Sequence, residues 1–219
     1  MSLALYAHPL SSYCQKVLTA LYENATPFTF KELSFTDDAI GAEFAALWPI
    51  RRMPLLVDKG RSVMESSIII EHLDQHHPGK IRLVPTDPAI ALEMRFMDRV
   101  FDNYVMTPMQ RIVFDAIRPE ENRDPYGVTE ARNLLLTAYR WLDARMKDRA
   151  WAAGDNFTLA DCAAAPSLFY ADWTEAIAEE FKHLRAYRAR LLQRPSFARA
   201  VDEARPYRQF FPLGAPDRD

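Results

Sequence analysis

The stretch "MPLLVDKGRSVMESSIIIEHLDQHH", residues 53 to 77, decides the fold. Its first half reads as two short strands joined at Asp58-Lys59-Gly60, a tight hairpin signal. "SSIIIEHLDQHH" then opens a helix with a serine at its N-cap, and Ile69, His72, Leu73 and His76 share one face at helical spacing. A hairpin and helix need more sheet to pack on, and the upstream sequence supplies it. "LALYA" (3 to 7) is a short apolar run ended by His8-Pro9. From Cys14 the residues Val17, Leu18, Leu21 and Tyr22 recur at helical spacing until "ENATP" breaks the pattern. "FTFKEL" (28 to 33) alternates in the strand manner, Phe28, Phe30 and Leu33 against Thr29, Lys31 and Glu32. Strand, helix, strand at this spacing predicts a parallel pair with a right-handed crossover. With one weak helix around "AEFAAL", the order is βαβαββα, an α/β domain over residues 1–78.

Residues 79–88 form a linker, since "HPGKIRLVPTDPAI" concentrates three prolines and a glycine within fourteen residues. Beyond it the character changes. "ALEMRFMDRVFDNYVMTPMQRIVF", "TEARNLLLTAYRWLDARMK", "TLADCAAAPSLFYADW" and "LRAYRARLLQ" all carry helical periodicity, which predicts an all-α domain over residues 89–219. The arginines from Arg185 to Arg208 alternate with apolar residues and read as the solvated side of terminal helices.

Composition excludes several classes of function. The 219 residues are 49% hydrophobic, enough to bury a sizeable core. Lys plus Arg total 27 against 30 Asp plus Glu, a formal charge of -3, so the basic footprint of a nucleic-acid binder is missing. The chain starts without the basic n-region of a secretory signal, and no uncharged apolar run approaches membrane-spanning length, so no membrane is expected and a cytoplasmic location is. Two cysteines, Cys14 and Cys162, are too few for a disulfide framework or a Cys-based zinc site. No metal is expected either: His72, His76 and His77 read as a helix surface without an acidic or cysteine set beside them.

Three short motifs carry chemistry. "LSSYCQKV" (10 to 17) lies where a loop ends the first strand and opens a helix, so free N–H groups and the positive helix end favour a bound anion such as a thiolate. Read as a Cys-x-x-Cys motif, "SSYC" has Ser11 in place of the exposed nucleophile and Cys14 in the buried second position. Cys14 is then either a small apolar core residue or a redox group, and Ser11 or Ser12 either caps the helix or donates a hydrogen bond to a ligand's thiolate. "RRMPLL" puts Pro54 just before a buried strand. A cis Met53-Pro54 bond would turn the Met53 backbone outward, free to pair with an extended peptide ligand. "VMESSIII" places Glu65 and Ser66 at a strand-to-helix junction, where a carboxylate and a hydroxyl could hold the ends of an amino-acid-like group. All three fall on one end of the small sheet, where open α/β sheets bind ligands.

Over essentially its whole length the chain resembles a cytosolic glutathione S-transferase, of the bacterial serine type (theta, zeta or beta-like), with a thioredoxin-like N-terminal domain. "SSYCQKV" resembles that family's serine-type stretch, Ser-Pro-Phe/Tyr followed by a basic residue and valine, which implies Ser11 as the catalytic residue. "RRMPLL" resembles Lys-Val-Pro-x-Leu, which implies that Met53, set by Pro54, binds the cysteinyl backbone of glutathione and that Arg52 approaches its glycyl carboxylate. "ESSIIIEHL" resembles Glu-Ser-x-x-Ile-x-x-Tyr-Leu, which implies that Glu65 and Ser66 hold the γ-glutamyl end. "FTLADCAAAP" resembles the family's core helix, with Thr158 and Asp161 as a capping box. Trp48, Met53 and Ser12 depart from the usual asparagine, valine and proline, and Ser12 leaves two adjacent hydroxyls competing for the catalytic role.

The resemblance also implies a homodimer, and glutathione as cosubstrate for a small apolar electrophile held by the second domain. The aromatic and methionine stripe Phe101, Tyr104, Met106, Met109, Phe114 is mostly core by composition. By resemblance Tyr104, with Phe101 and Met106, lines the electrophile pocket, and "RQFFPL" (208 to 213) lids it or packs. Tyr6 faces core or cleft. The competing readings are a glutathione-dependent isomerase, dehalogenase or thiol reductase of the same fold, and a non-catalytic binding module.

Overall fold

A computed structural model describes residues 3–34 and 38–219. The N-terminal elements follow the expected order: β1 (Leu3–Ala7), α1 (Ser12–Glu23), β2 (Thr29–Glu32), α2 (Asp38–Leu47), β3 (Leu55–Asp58), β4 (Arg61–Met64) and α3 (Ser66–His76). They build a four-stranded sheet in the order β2-β1-β3-β4. β1 pairs parallel with β2 and antiparallel with β3, and β3 pairs antiparallel with β4. Because side chains alternate across a strand, Leu3, Leu5 and Ala7 enter the core beneath α1 and α3, with Val17, Leu18, Leu21, Ile69 and Ile70. Tyr6 points the other way, against Phe44 of α2 and Leu55, with its ring centroid 6.3 Å from that of Phe44. The β3–β4 hairpin turns at Lys59 and Gly60, both at positive φ (51° and 81°), the backbone that a two-residue turn between twisted strands requires.

No helix or strand lies between His76 and Pro88. The rest is helical: α4 (Pro88–Val100), a π-helical segment (Phe101–Met106), α5 (Thr107–Ala116), α6 (Pro125–Met146), α7 (Leu159–Thr174), α8 (Lys182–Leu192) and α9 (Pro195–Ala204). α7 is buried along all of its 16 residues and forms the axis of this half. Its start is held by the expected capping box: Asp161 Oδ2 accepts from the Thr158 amide at 2.8 Å, and Oδ1 accepts from the Ala152 amide (2.8 Å) and the Tyr187 hydroxyl (2.6 Å).

Two expectations fail here. The run from Ala91 to Phe114 is not one regular helix. Pro108 cannot donate to the carbonyl of Tyr104, and its ring crowds that turn, so the backbone opens into i→i+5 bonding, with the Thr107 amide donating to Asp102 O. The terminal arginines are not simply a solvated face. Arg194 makes a two-pronged ion pair with Glu23 of α1 (2.5 and 2.9 Å) and lies 4.0 Å from the Phe157 ring centroid. Arg188 is mostly buried against Asp172 at 3.2 Å.

Candidate active site

A cavity of about 720 Å³ opens between the two halves, a size ordinary for a small-molecule site. On the sheet side it is lined by Ser11, Arg52, Met53, Pro54, Glu65 and Ser66, the six residues that the three motifs singled out, together with Ser12, Tyr13 and Arg51. They come from three separate loops at one end of the sheet. Ser11 is the N-cap of α1, in extended backbone (φ -74°, ψ 123°), and no side chain caps this helix. The Met53-Pro54 bond is cis, with Met53 half-buried and Pro54 buried. Glu65, not Ser66, is the N-cap of α3, at φ 68°. Such a conformation in a non-glycine residue costs on the order of 1–3 kcal/mol and persists where the surroundings hold it. Here β4 ends on one side of Glu65, and on the other the Ile69 amide donates to its carbonyl at 2.8 Å. α3 too has no side-chain cap, so two helix N-termini, each a favourable place for negative charge, open beside the same space.

Cys14 is fully buried one turn into α1, and burial pushes its thiol up to about 11 against the smaller opposing effect of the Ser11 hydroxyl and the His8 backbone. It is a structural thiol. Tyr13 lines the cavity, but burial and the nearby Asp102 carboxylate push its phenol up to about 12, so it stays protonated at neutral pH. Tyr6 belongs to the core, and burial with the Glu43 contact pushes it up to about 12.

The helical side differs from expectation. None of Phe101, Tyr104 and Met106 lines the cavity: Phe101 and Met106 are completely buried in the core, and Tyr104 is 50% exposed elsewhere. Those three come from the resemblance alone; the π-helical turn begins at Phe101, and its extra residue sets the facing of the side chains after it, those of α5. The face turned to the cavity is instead Met109, Gln110, Val113, Phe114 and Ile117, at and just beyond α5. Phe211 and Pro212 from "RQFFPL" close one side, Phe211 stacking on Tyr170 at 6.0 Å, while Phe210 is 64% exposed. The Tyr170 hydroxyl accepts from Gln15 Nε2 at 2.9 Å.

Behind the polar wall lies a charged network that the motifs did not reveal. Lys16 Nζ, fully buried, donates to Asp98 Oδ1 (2.5 Å), Asp102 Oδ2 (2.9 Å) and Ser67 Oγ (2.9 Å). Arg99 reaches Asp98 and Asp102, each at 2.6 Å, and Ser67 at 2.7 Å. Arg99 and Asp102 both line the cavity. Burial and the neighbouring Asp98 push the Asp102 carboxyl up; Lys16 and Arg99 outweigh burial at Asp98 and hold it down. The available signal was the four-residue spacing of Asp98 and Asp102 on one helix face, opposite the lone basic residue of α1.

Residues 5–81 match the family model for the glutathione S-transferase N-terminal domain, and residues 105–195 match that for the C-terminal domain. A glutathione S-transferase of Hyoscyamus muticus is 25% identical over 218 residues, 92% of this chain and 99% of that protein. A stringent starvation protein A homolog of Coxiella burnetii is 24% identical over 204 residues, 92% of each chain. The crystal structure of a Methylobacterium radiotolerans glutathione S-transferase in complex with glutathione sulfonate superposes with a TM-score of 0.80 at 28% identity, covering 92% of this chain and 95% of that one. The N-terminal half is thus thioredoxin-like, followed by an all-helical domain.

Proposed function

Because the chain belongs to the glutathione S-transferase family, we propose that it is a glutathione transferase that conjugates the glutathione thiolate to a small apolar electrophile. One observation carries the reading. A single cavity has a polar wall of Ser11, Arg52, Met53, Pro54, Glu65 and Ser66 and, facing it, an apolar wall of Met109, Val113, Phe114, Ile117 and Phe211. Glutathione lies extended along the polar wall, its γ-glutamyl end at Glu65 and Ser66, its cysteinyl backbone at Met53 and its glycyl carboxylate toward Arg52. Ser11 donates to the thiolate, and the uncapped N-terminus of α1 favours the charge. The thiolate then attacks the electrophile on the apolar side. In the Methylobacterium relative the bound ligand is glutathione sulfonate, which supports glutathione as cosubstrate here.

A thiol reductase of the same fold needs a reactive cysteine at the cavity, and Cys14 is buried with its thiol pushed up to about 11. The non-catalytic reading has a specific support: the Coxiella relative is named for starvation and not for transfer. Calorimetry with glutathione separates the two, since no binding at millimolar concentration favours the binding module. A turnover panel of aryl halides, epoxides, isothiocyanates, disulfides and maleyl compounds then identifies the electrophile. We further infer a cytoplasmic homodimer. Members of this family generally act as dimers, and Ile68, Ile90, Leu92 and Phe96 of α3 and α4 expose 45–69% of their surfaces. Among the described residues no helix is long and apolar enough to cross a membrane.

A further inference from the structure

By helical spacing alone, His72, His76 and His77 share no acidic neighbour. The fold supplies one. Asp58, the last residue of β3, is brought against the C-terminal turns of α3, where its Oδ2 lies 3.0 Å from His72 Nε2 and 2.8 Å from His77 Nε2. We propose that Asp58, His72 and His77 form a binding site for one divalent transition-metal ion of the zinc class, remote from the catalytic cavity, which none of the three lines.

The arguments are geometric and chemical. Among the described residues this is the one cluster of three metal-ligating side chains, with all three ligand atoms within 4.8 Å of one another. An ion bound tetrahedrally at about 2.0–2.1 Å from nitrogen and oxygen sets its ligands about 3.3 Å apart, so the two oxygen–nitrogen distances need open by only a few tenths of an ångström, with the two ring nitrogens already within 4.8 Å of each other. The donors sit on fixed backbone. Asp58 pairs with Arg61 in the β3–β4 ladder, His72 is inside α3, and the amide of His77, the C-cap of α3, donates to Leu73 O at 2.8 Å. Two imidazoles and a carboxylate suit Zn²⁺, Co²⁺ or Ni²⁺ and not Mg²⁺ or Ca²⁺, which prefer all-oxygen sets. Without an ion, both Nε2–H groups converge on one oxygen. An ion takes the lone pair of each Nε2 from rings that carry their one proton on Nδ1 instead, and side-chain exposures of 10% and 20% let water reach the fourth position. His76 is exposed, its ring 4.5 Å from that of His72, and supplies no ligand atom to the cluster.

The test uses the full chain without an affinity tag. Titration with Co²⁺ should give one equivalent bound, with the visible bands of a tetrahedral cobalt centre. Zn²⁺ should displace it and raise the unfolding temperature by roughly 5–10 °C at a hundredfold excess over its dissociation constant. His72→Gln and His77→Gln should each weaken binding at least tenfold while circular dichroism shows the fold intact. His76→Gln should bind within a few-fold of wild type. No saturable binding below millimolar metal, or affinity unchanged in His72→Gln and His77→Gln, overturns the proposal. Glutathione binding is read separately on the same samples, so the two assignments fail independently.

Discussion

The Lys16 ammonium lies 2.9 Å from the Asp102 carboxylate with Lys16 completely buried, joining α1 of the first domain to the π-helical turn of the second immediately behind the cavity. Removing the cation leaves Asp98 and Asp102 buried with only Arg99, itself half exposed, as a positive partner. Lys16→Met should therefore lower the unfolding free energy by about 3–5 kcal/mol in urea titration, the cost of breaking a buried pair from one side. A loss below about 1 kcal/mol would show that Arg99 alone balances the two carboxylates.

Ser11 and Ser12 both line the cavity, with Ser12 buried and Ser11 partly open. Ser11→Ala should reduce conjugation roughly 10- to 100-fold, the worth of one hydrogen bond to a charged acceptor, and leave glutathione affinity nearly unchanged. Ser12→Ala should leave both turnover and glutathione affinity nearly unchanged. The pair of variants, compared by kcat and by calorimetry, decides which hydroxyl serves the thiolate; equal turnover in Ser11→Ala and wild type would reject the assignment.

Both cysteines are fully buried, and burial raises both thiols, Cys14 to about 11 and Cys162 well above its ordinary value. A thiol-specific aromatic disulfide should label neither cysteine in the native protein at pH 7–8, and both once it is unfolded. Rapid labelling of one thiol in the folded state would reopen the reductase reading.

Asp161 accepts from the amides of Thr158 and Ala152 and from the Tyr187 hydroxyl while completely buried. Asp161→Ala orphans all three donors, and a loss of at least about 3 kcal/mol is expected from the summed desolvation and cap terms. Asp161→Asn should recover part of it. Chemical denaturation measures both.

Glu93 of α4 clamps the last turn of α6 through Arg145 and the loop after it through Arg149 (2.7 Å). Burial raises its carboxyl, but the two arginines outweigh this and hold it below the ordinary value. A depressed folded pKa contributes stability above the unfolded value, about 4.3, that is lost as pH falls through the folded one. The stability difference between wild type and Glu93→Gln should be about 1 kcal/mol near pH 7 and vanish well below pH 4. A difference that grows on acidification would contradict the clamp.

The order of the first seven elements was legible because each carries its own local signal: a strand run ended by His8-Pro9, a turn at Lys59-Gly60, a helix after Glu65. So were the six polar-wall residues, since motif and loop position coincide at Ser11, Met53-Pro54 and Glu65-Ser66. The apolar wall was not. The resemblance points to Phe101, Tyr104 and Met106, whereas the wall is built by Met109, Val113 and Phe114 of α5, whose facing follows from the extra residue in the turn at Phe101–Met106.

Local chemistry in the sequence thus determined the strands, the helices and the end of the sheet where the cavity opens, because propensity, caps and turns act over a few residues. Tertiary structure alone decided which side chains meet across long separations. Lys16 finds Asp98 and Asp102 more than eighty positions away, and Asp58 reaches His72 and His77 only when the hairpin folds over α3. No local rule encodes such meetings, since they follow from how helices and sheet pack to exclude water and satisfy buried charge.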